Sequence, residues 1–256
     1  MKLAIICSKK DPAGMNICRH LKELGVEKRK DFSLHVIEED SIFAENLDKR
    51  IDADAFIFAT KHRSSSGIKS LTVHVQGNWG KAEFGGEEGK IAVAAAPLIK
   101  SALKNLSRES IGYEVVQEVT HHGPFMEKPS MFIEIGSSEK EWSDDKAGEA
   151  IAKAILNLSV EECITAVGIG GLHYASNFMP IQLNTNIAIG HICPKYALAD
   201  LNSEKLRQAI ERTWPKKAEL IIVDWKGLGG HKEKVKELLE NAGIPWKKSS
   251  DAKHNL

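Results

Sequence analysis

Six of the ten histidines in this 256-residue chain lie in, or directly after, segments with the pattern of buried strands. They are His62, His74, His121, His122, His173 and His191. Another strand-like segment carries Glu134. Imidazoles and carboxylates exchange protons or bind transition metals, so these residue types suit acid–base or metal chemistry. Histidines without a shared role would scatter over surface helices, and this clustering therefore favours a site assembled from several strands.

The adjacent pair His121 and His122 lies in the sequence VTHHGP, at the predicted end of a strand. Neighbouring side chains of a strand point to opposite faces. Both imidazoles can therefore bind one metal only if the backbone bends at Gly123 and Pro124. The spacing matches no compact zinc signature, since HExxH, CxxC and HxExxH are all absent. For this pair, a metal ligand and an ordinary hydrogen-bonded histidine both remain open.

Two further loops follow predicted strands. In GIGGLHYASN, the N–H groups of Gly170 and Gly171 could cradle an oxyanion or a phosphate, although a tight turn explains the glycines equally well. The serines of SSSG, residues 64–66, lack the GxSxG pattern of a nucleophile elbow, which favours a flexible or ligand-binding loop. GxGxxG is also absent, so we expect no dinucleotide cofactor.

The elements that position these residues alternate between strand and helix almost throughout. The predicted strands cover residues 2–7, 32–38, 55–60, 70–78, 113–120, 130–136, 163–171, 186–193 and 218–225. The predicted helices run from Pro12 to Leu24 behind an Asp11 cap, over 91–106, from a Ser143 cap through DDKAGEAIAKAIL, over 202–213 and over 231–243. This rhythm predicts a single α/β domain over residues 1–256, with a mixed, mainly parallel sheet and helices on both faces. Ligands of such sheets bind outside the carboxyl ends of the strands.

Composition excludes several classes of protein. The 35 basic and 35 acidic residues give zero net charge, which argues against non-specific coating of nucleic acid. No apolar run reaches about 18 residues, so we expect no membrane span. The four cysteines are far apart, which indicates free thiols in a reducing compartment, and we expect a cytoplasmic protein.

Four sequence blocks, in order, resemble the archaeal-type D-aminoacyl-tRNA deacylases, which have plant relatives. The blocks are KHRSSSGIKSLTVHVQGNWG, VTHHGPF, FIEIGSSEKEW and GIGGLHYASNF, and the resemblance runs from about residue 1 to 230. It implies a hydrolase that cleaves the ester between a D-amino acid and the 3′ end of tRNA. It also implies a Zn²⁺ requirement and a fold related to the phosphorylase and peptidyl-tRNA hydrolase type.

The resemblance gives the polar residues expected roles. The candidate zinc ligands are His74, His121, His122, Glu134 and His173, and the histidines at 121, 122 and 173 are also candidates for catalysis. The N–H groups of Gly170 and Gly171 are the candidate oxyanion donors. Lys61, His62, Arg63 and Lys226 are candidates for holding the phosphates of the terminal adenosine. We expect a monomer that binds tRNA charged with a D-amino acid.

Two other functions fit the same residues. One is a peptidyl-tRNA or nucleoside hydrolase of similar fold, in which the strand-end histidines act as general bases. The other is a non-catalytic tRNA-binding module that leaves the ester intact. The clustered histidines disfavour such a module, because phosphate binding calls for Lys and Arg instead.

Overall fold

Within residues 1–253, which the computed structural model describes, the chain forms twelve strands and nine α-helices. The strands are β1 (Leu3–Ser8), β2 (Phe32–Ile37), β3 (Ala55–Arg63), β4 (Ser70–His74), β5 (Val93–Ala95), β6 (Glu114–Gln117), β7 (Pro129–Ser137), β8 (Ile164–Ile169), β9 (Ile187–Cys193), β10 (Thr213–Trp214), β11 (Leu220–Val223) and β12 (Trp246–Lys248). The helices are α1 (Pro12–Glu23), α2 (Leu47–Arg50), α3 (Ala96–Leu106), α4 (Glu139–Trp142), α5 (Asp145–Leu156), α6 (Met179–Asn184), α7 (Ser203–Glu211), α8 (Lys232–Asn241) and α9 (Ser249–Ala252). Each of these helices is too short or too polar to cross a bilayer.

The strands divide into two sheets. The larger sheet has the order β10-β5-β7-β3-β1-β2, and β4 pairs with both β7 and β6. The smaller sheet has the order β12-β11-β8-β9. Every pairing between these strands is parallel except that of β4 with β7. The α/β class and the mainly parallel arrangement are confirmed. The division into two sheets corrects the expectation of one, because hydrophobic runs indicate strands without indicating their partners.

The centre of the larger sheet forms the main core. The strands β1 and β3 read as continuous apolar runs, which is the pattern of parallel strands covered on both faces. Phe58 of β3 stacks on Phe132 of β7 with ring centroids 4.6 Å apart. The helices α1 and α5 pack together against this sheet. A rigid layer of apolar strands therefore supports the polar residues at their carboxyl ends.

Two predicted helix caps have different outcomes. Asp11 caps α1 as expected, and its carboxylate accepts from the N–H of Gly14 at 2.8 Å. The Ser143 cap of α5 is wrong. The Ser143 hydroxyl donates back to the carbonyl of Glu139 in α4, and Asp144 caps α5 by accepting from the N–H of Lys146.

The two sheets meet along residues 118–122, which follow β6 and which we call the seam. The N–H of Val119 donates to the carbonyl of His173 beyond β8, at 3.1 Å, and the N–H of Thr120 donates to the carbonyl of Ile192 in β9, at 3.0 Å. The other side of the seam bonds to the loop after β4. This short segment therefore brings the polar ends of both sheets together.

Candidate active site

A row of three polar side chains crosses the larger sheet. Thr60 of β3, Glu134 of β7 and Thr72 of β4 are register partners on neighbouring strands, and all three are buried. The hydroxyl of Thr60 donates to Oε1 of Glu134 at 2.7 Å, and that of Thr72 donates to Oε2 at 3.4 Å. The strand register thus holds the Glu134 carboxylate in one orientation.

Two histidines flank this carboxylate. His62 lies two residues beyond Thr60, and His74 lies two residues beyond Thr72. Because β4 runs antiparallel to β7, they approach Glu134 from opposite ends. Nδ1 of His62 is 3.6 Å from Oε2 of Glu134, and Nε2 of His74 is 3.8 Å from the same oxygen.

A glycine makes the room that His62 occupies. Gly136 is the register partner of His62, and a Cβ on Gly136 would lie 2.8 Å from His62 Cδ2 and 2.6 Å from Ser70 Oγ. The other ring nitrogen of His62, Nε2, is 2.9 Å from the hydroxyl of Tyr174. His62 is therefore buried, with Nε2 beside the Tyr174 hydroxyl and Nδ1 facing carboxylates, and its expected contact with phosphates stays a prediction.

The adjacent histidines turn towards the same point. β6 ends at Gln117, before the pair, so the strand alternation does not apply to it. His122 adopts a left-handed backbone with φ of 47°, so the bend lies at His122 itself, one residue before the expected one. The rings of His121 and His122 are 4.4 Å apart, and both lie within 4.9 Å of the His74 ring.

The hydrogen bonds of these three imidazoles fix their tautomers. Nδ1 of His74 lies 3.2 Å from the carbonyl oxygen of Val75. The Nδ1 atoms of His121 and His122 lie 2.8 and 2.6 Å from the carbonyl oxygens of Val119 and Gly123. A carbonyl oxygen only accepts, so each Nδ1 carries a proton, and whenever one of these rings is neutral its Nε2 has a free lone pair. Metal-binding histidines are oriented in this way.

Glu118, in the seam, is a functional residue that the sequence reasoning missed. Its buried carboxylate lies 3.1 Å from Nδ1 of His62, 3.6 Å from Nε2 of His121 and 2.8 Å from Nε2 of His173. None of these nitrogens is aligned as a donor, so among residues 1–253 neither oxygen accepts a hydrogen bond. Buried carboxylates rarely lack partners, and this one is suited to a cation. A carboxylate three residues before His121, in the same predicted strand, is the signal that could have found it.

Both buried carboxylates are ionised. Burial alone raises the pKa of Glu134, but the approach of His62 and His74 outweighs burial and holds this pKa well below its ordinary value. Burial likewise raises the pKa of Glu118, and the neighbouring Glu134 adds to this effect. The proximity of His173 and the charges of the other imidazoles outweigh both, so the pKa of Glu118 is lowered.

The imidazoles divide into two kinds. Burial and the charge of His74 lower the pKa of His122 to about 4, and the same causes lower the pKa of His121 well below its ordinary value. Burial also opposes a charge on His62 and His74, but the contacts with the carboxylates outweigh it, and both pKa values are raised. His121 and His122 are therefore neutral imidazoles, whereas His62 and His74 lie where a positive charge is stabilised.

His62, His121, His122, Glu134 and His173 form the floor of a cleft of about 1220 Å³. Lys61 and Arg63, at the end of β3, also line this cleft. Exposed Phe84 and Tyr196 lie on its walls. His173 is the most exposed imidazole of the floor, with 40% of its side chain accessible. The cleft can therefore admit a large polar substrate.

Four predicted site residues do not line the cleft: His74, which is fully buried, and Gly170, Gly171 and Lys226. Lys226 is exposed on the loop after β11, away from the lining residues. The N–H of Gly170 donates to the carbonyl of Cys193 at 2.8 Å, so it is engaged within the fold and is not an available oxyanion donor. Gly171 has φ of 90°, and its carbonyl accepts from the N–H of Lys195. These glycines form a turn that requires left-handed backbone, the alternative that the sequence left open.

The cluster has the donor set of a transition-metal site. Three groups of side chains bring ligand atoms within 4.8 Å of one another. They are His74, His121 and His122; His62, Glu118 and His173; and His74, Glu118 and Glu134. Neutral imidazoles with free Nε2 atoms and ionised carboxylates are the ligands that zinc prefers. The residues present therefore fit the metal that the sequence resemblance implies.

Fold and site together define an α/β protein whose cleft is equipped for acid–base or metal chemistry. A family model described as D-aminoacyl-tRNA deacylase matches residues 49–247. Two curated D-aminoacyl-tRNA deacylases are each 38% identical to the chain. That of Methanosarcina acetivorans matches over 98% of this chain and 93% of its own length, and that of Pyrococcus furiosus over 94% and 98%. The chain belongs to the D-aminoacyl-tRNA deacylase family.

Two further relatives agree with this assignment. A D-aminoacyl-tRNA deacylase of Methanococcoides burtonii is 35% identical over 99% of the chain, which spans only 58% of that longer protein. A crystal structure of a conserved protein of unknown function, AF0625, superposes with a TM-score of 0.91 at 35% identity. The superposition covers 99% of this chain and 97% of the other.

Proposed function

We propose that the protein hydrolyses the ester between a D-amino acid and the 3′ end of tRNA, releasing both. Family membership supports the reaction, and one observation about the site indicates which residues perform it. A buried, ionised Glu118 without a hydrogen-bond donor lies directly behind His62, His121 and His173, three imidazoles that line an open cleft. An aminoacyl ester is already reactive, so the enzyme needs only a positioned water and a stabilised oxyanion.

His173 is the residue we propose as general base. It is exposed to the cleft, and its Nε2 faces Glu118 at 2.8 Å. When the ring turns so that Nε2–H donates to this carboxylate, the carboxylate holds the ring and stabilises the charge that the imidazole gains on accepting a proton from water. The remaining nitrogen, Nδ1, is then the atom that receives the proton.

We propose Zn²⁺ as the cofactor, held by Nε2 of His74, His121 and His122, with Glu134 beside them. Bound zinc supplies a Lewis acid that polarises the ester carbonyl and lowers the pKa of a bound water. The chain's own contribution is to orient the three imidazoles. Each Nδ1 is held by a backbone carbonyl, so that Nε2 is directed to the ion. The Thr60 and Thr72 hydroxyls keep Glu134 in position.

We propose tRNA charged with a D-amino acid as the partner, and the cytoplasm as the place of action. The position of Lys61 and Arg63 along the cleft supports contacts with phosphates. The four cysteines are free and buried, which supports a reducing compartment.

Deacylation of D-Tyr-tRNA and L-Tyr-tRNA, with and without a chelator and added zinc, tests the proposal. We expect hydrolysis of the D-ester only, stopped by the chelator and restored by zinc. Equal hydrolysis of both esters, or of neither, would remove the assigned reaction. Hydrolysis of the D-ester that survives chelation would remove the metal and leave Glu118 and His173 as the catalytic pair.

A further inference from the structure

A second hollow, of about 490 Å³, lies beside the cleft at the ends of β3 and β7. It is lined by Arg63, Ser64, Ser65, Ser137, Ser138, Glu139 and Trp142, and we call it the serine hollow. Arg63 lines both the cleft and the serine hollow, so the two spaces adjoin. None of the roles proposed above uses its serines.

The sheet register brings its two walls together. Arg63 and Ser137 are partners in the parallel pairing of β3 with β7, so both strands end at the same level. The N–H of Ser64 donates to the carbonyl of Ser137 at 3.1 Å, which ties the two turns together. Hydroxyl groups from two separate serine runs therefore line one space.

Arg63 is held in position without being neutralised. Its guanidinium lies 4.9 Å from the ring centroid of Trp142, whose indole N–H donates to the carbonyl of His62 at 3.0 Å. Within the described residues, Arg63 makes no ion pair and no side-chain hydrogen bond. A guanidinium that stacks by its face leaves its N–H edges free for an oxyanion.

The wall of the serine hollow also contains an unused donor. Ser137 is buried, and its Oγ has no hydrogen-bond partner among residues 1–253. A buried hydroxyl without a partner is costly, and a ligand oxygen would satisfy it. Arg63 and Ser137 together offer a positive charge and a hydroxyl donor, which is the equipment for binding phosphate.

We infer that the serine hollow binds a backbone phosphate of the polynucleotide whose 3′ end enters the cleft. This inference rests on the proposed function. Glu134 and Ser137 are three residues apart on β7, so the hollow lies about 10 Å from the reacting end at the rise of a strand. The phosphate that precedes the terminal ribose is separated from the ester carbonyl by the sugar alone. One nucleotide therefore spans from the floor of the cleft towards the hollow.

One lining residue opposes this binding. Glu139 is exposed and carries a carboxylate next to the hollow. An anion in the hollow must tolerate that charge, so its removal gives a test of opposite sign. Arg63→Gln should weaken phosphate binding, and Glu139→Gln should strengthen it. An apolar or cationic ligand would give neither pattern.

The first experiment compares two minimal substrates, D-tyrosyl adenosine esterified at the ribose 3′-oxygen, with and without a 5′-phosphate. The readout is the ratio of their kcat/KM values. In the unaltered enzyme we expect a preference for the phosphorylated ester. Arg63→Gln should reduce this preference about tenfold, Ser137→Ala should reduce it less, and Glu139→Gln should increase it.

Arg29→Gln is the matched control. Arg29 also stacks on an aromatic ring, that of Phe32 at 5.1 Å, but it lies just before the edge strand β2 and, unlike Arg63, pairs with a carboxylate, that of Asp31. The substitution removes the same charge and a similar stacking contact away from the hollow, and it should leave the preference unchanged. Thermal unfolding of each variant separates loss of fold from loss of binding.

The second experiment measures binding of a 5′-fluorescein single-stranded RNA ending in CCA, by anisotropy over a range of salt. Arg63→Gln should lower the magnitude of the slope of log affinity against log salt by about 0.7, the value for one phosphate on a single strand. This readout needs no hydrolysis, so it still decides the inference if the enzyme cleaves neither ester. An unchanged slope and an unchanged substrate preference in Arg63→Gln would overturn the serine hollow as a phosphate site.

Discussion

The carboxyl ends of the two sheets differ in how their polar groups are satisfied. At the smaller sheet, Asp224 accepts from the side-chain amide of Asn177 at 2.8 Å and from the N–H of Gly227 at 3.2 Å. At the seam, Glu118 is equally buried, yet among residues 1–253 its oxygens accept no hydrogen bond. Ligands of parallel sheets bind at the carboxyl ends of the strands, and this rule applies to both sheets. Only the carboxyl end of the larger sheet, where polar groups among the described residues remain without hydrogen-bond partners, has the chemistry of a site.

The buried imidazoles repeat this difference. His191 of β9 has Nε2 3.2 Å from the carbonyl oxygen of Arg212 and Nδ1 3.2 Å from the hydroxyl of Thr120, so the protein satisfies both nitrogens. His74 bonds through Nδ1 alone, and within the described residues its buried Nε2 has no hydrogen bond. A buried histidine therefore indicates function when one nitrogen remains open.

The largest expected effect separates the two carboxylates. Glu118→Gln should reduce kcat/KM on D-Tyr-tRNA about 100-fold or more, since the base loses the group that orients it. Asp224→Asn keeps a side chain of the same shape at the carboxyl end of the smaller sheet and should retain activity. Steady-state deacylation of both variants checks this. Equal losses of kcat/KM in the two variants would contradict the difference proposed between the carboxyl ends of the two sheets.

A smaller effect concerns space beside the carboxylates. Gly136→Ala should displace His62, because the new Cβ would lie 2.8 Å from its Cδ2, and activity should fall roughly 30-fold, which is within the range for a misplaced catalytic group. Gly230→Ala is the control, since its Cβ would meet nothing within 4 Å among the described residues. Kinetics and circular dichroism on both variants provide the measurement. Full activity in Gly136→Ala would show that the position of His62 is unimportant.

His191, whose two ring nitrogens both have partners within the protein, should affect how stability depends on pH and should not affect activity. Burial lowers the pKa of His191 to about 3 from an ordinary 6.5. Between these values the unfolded state binds the extra proton, so stability falls on acidification, by about 1.4 kcal/mol per pH unit for this group. His191→Gln should lose stability less steeply as the pH falls below about 6.5. Urea unfolding at several pH values tests this, and parallel slopes in the two proteins would contradict it.

The smallest effect is expected at Lys226. Because this residue is exposed on the loop after β11 and outside the cleft, Lys226→Gln should change kcat/KM by less than about twofold, as for most surface substitutions. Deacylation at low salt is the most sensitive measurement. A large loss of kcat/KM in this variant would show that the substrate also contacts the loop after β11 of the smaller sheet.

Much of the fold was predictable because the strands are long apolar runs, and the Asp11–Pro12 start of α1 follows a local rule. The candidate site was predictable only in part. His74, His121, His122, His173 and Glu134 do come together. Glu118 was missed because it lay within the predicted strand 113–120, whereas the strand ends at Gln117 and Glu118 belongs to the seam that faces the imidazoles. The pairing of β4 with β7 joins residues about sixty positions apart, and no local pattern records such a partner.

The seam also links the candidate site to the folding of both sheets. The groups that could hold a metal come from strands of the larger sheet, from residues 118–122 and from the turn after β8. A folding intermediate with only one sheet formed would therefore hold an incomplete set of ligands. An ion bound there would act as a clasp between the sheets, and its binding free energy would add to the cohesion of their junction. Activity would then report on the completeness of folding across the whole chain.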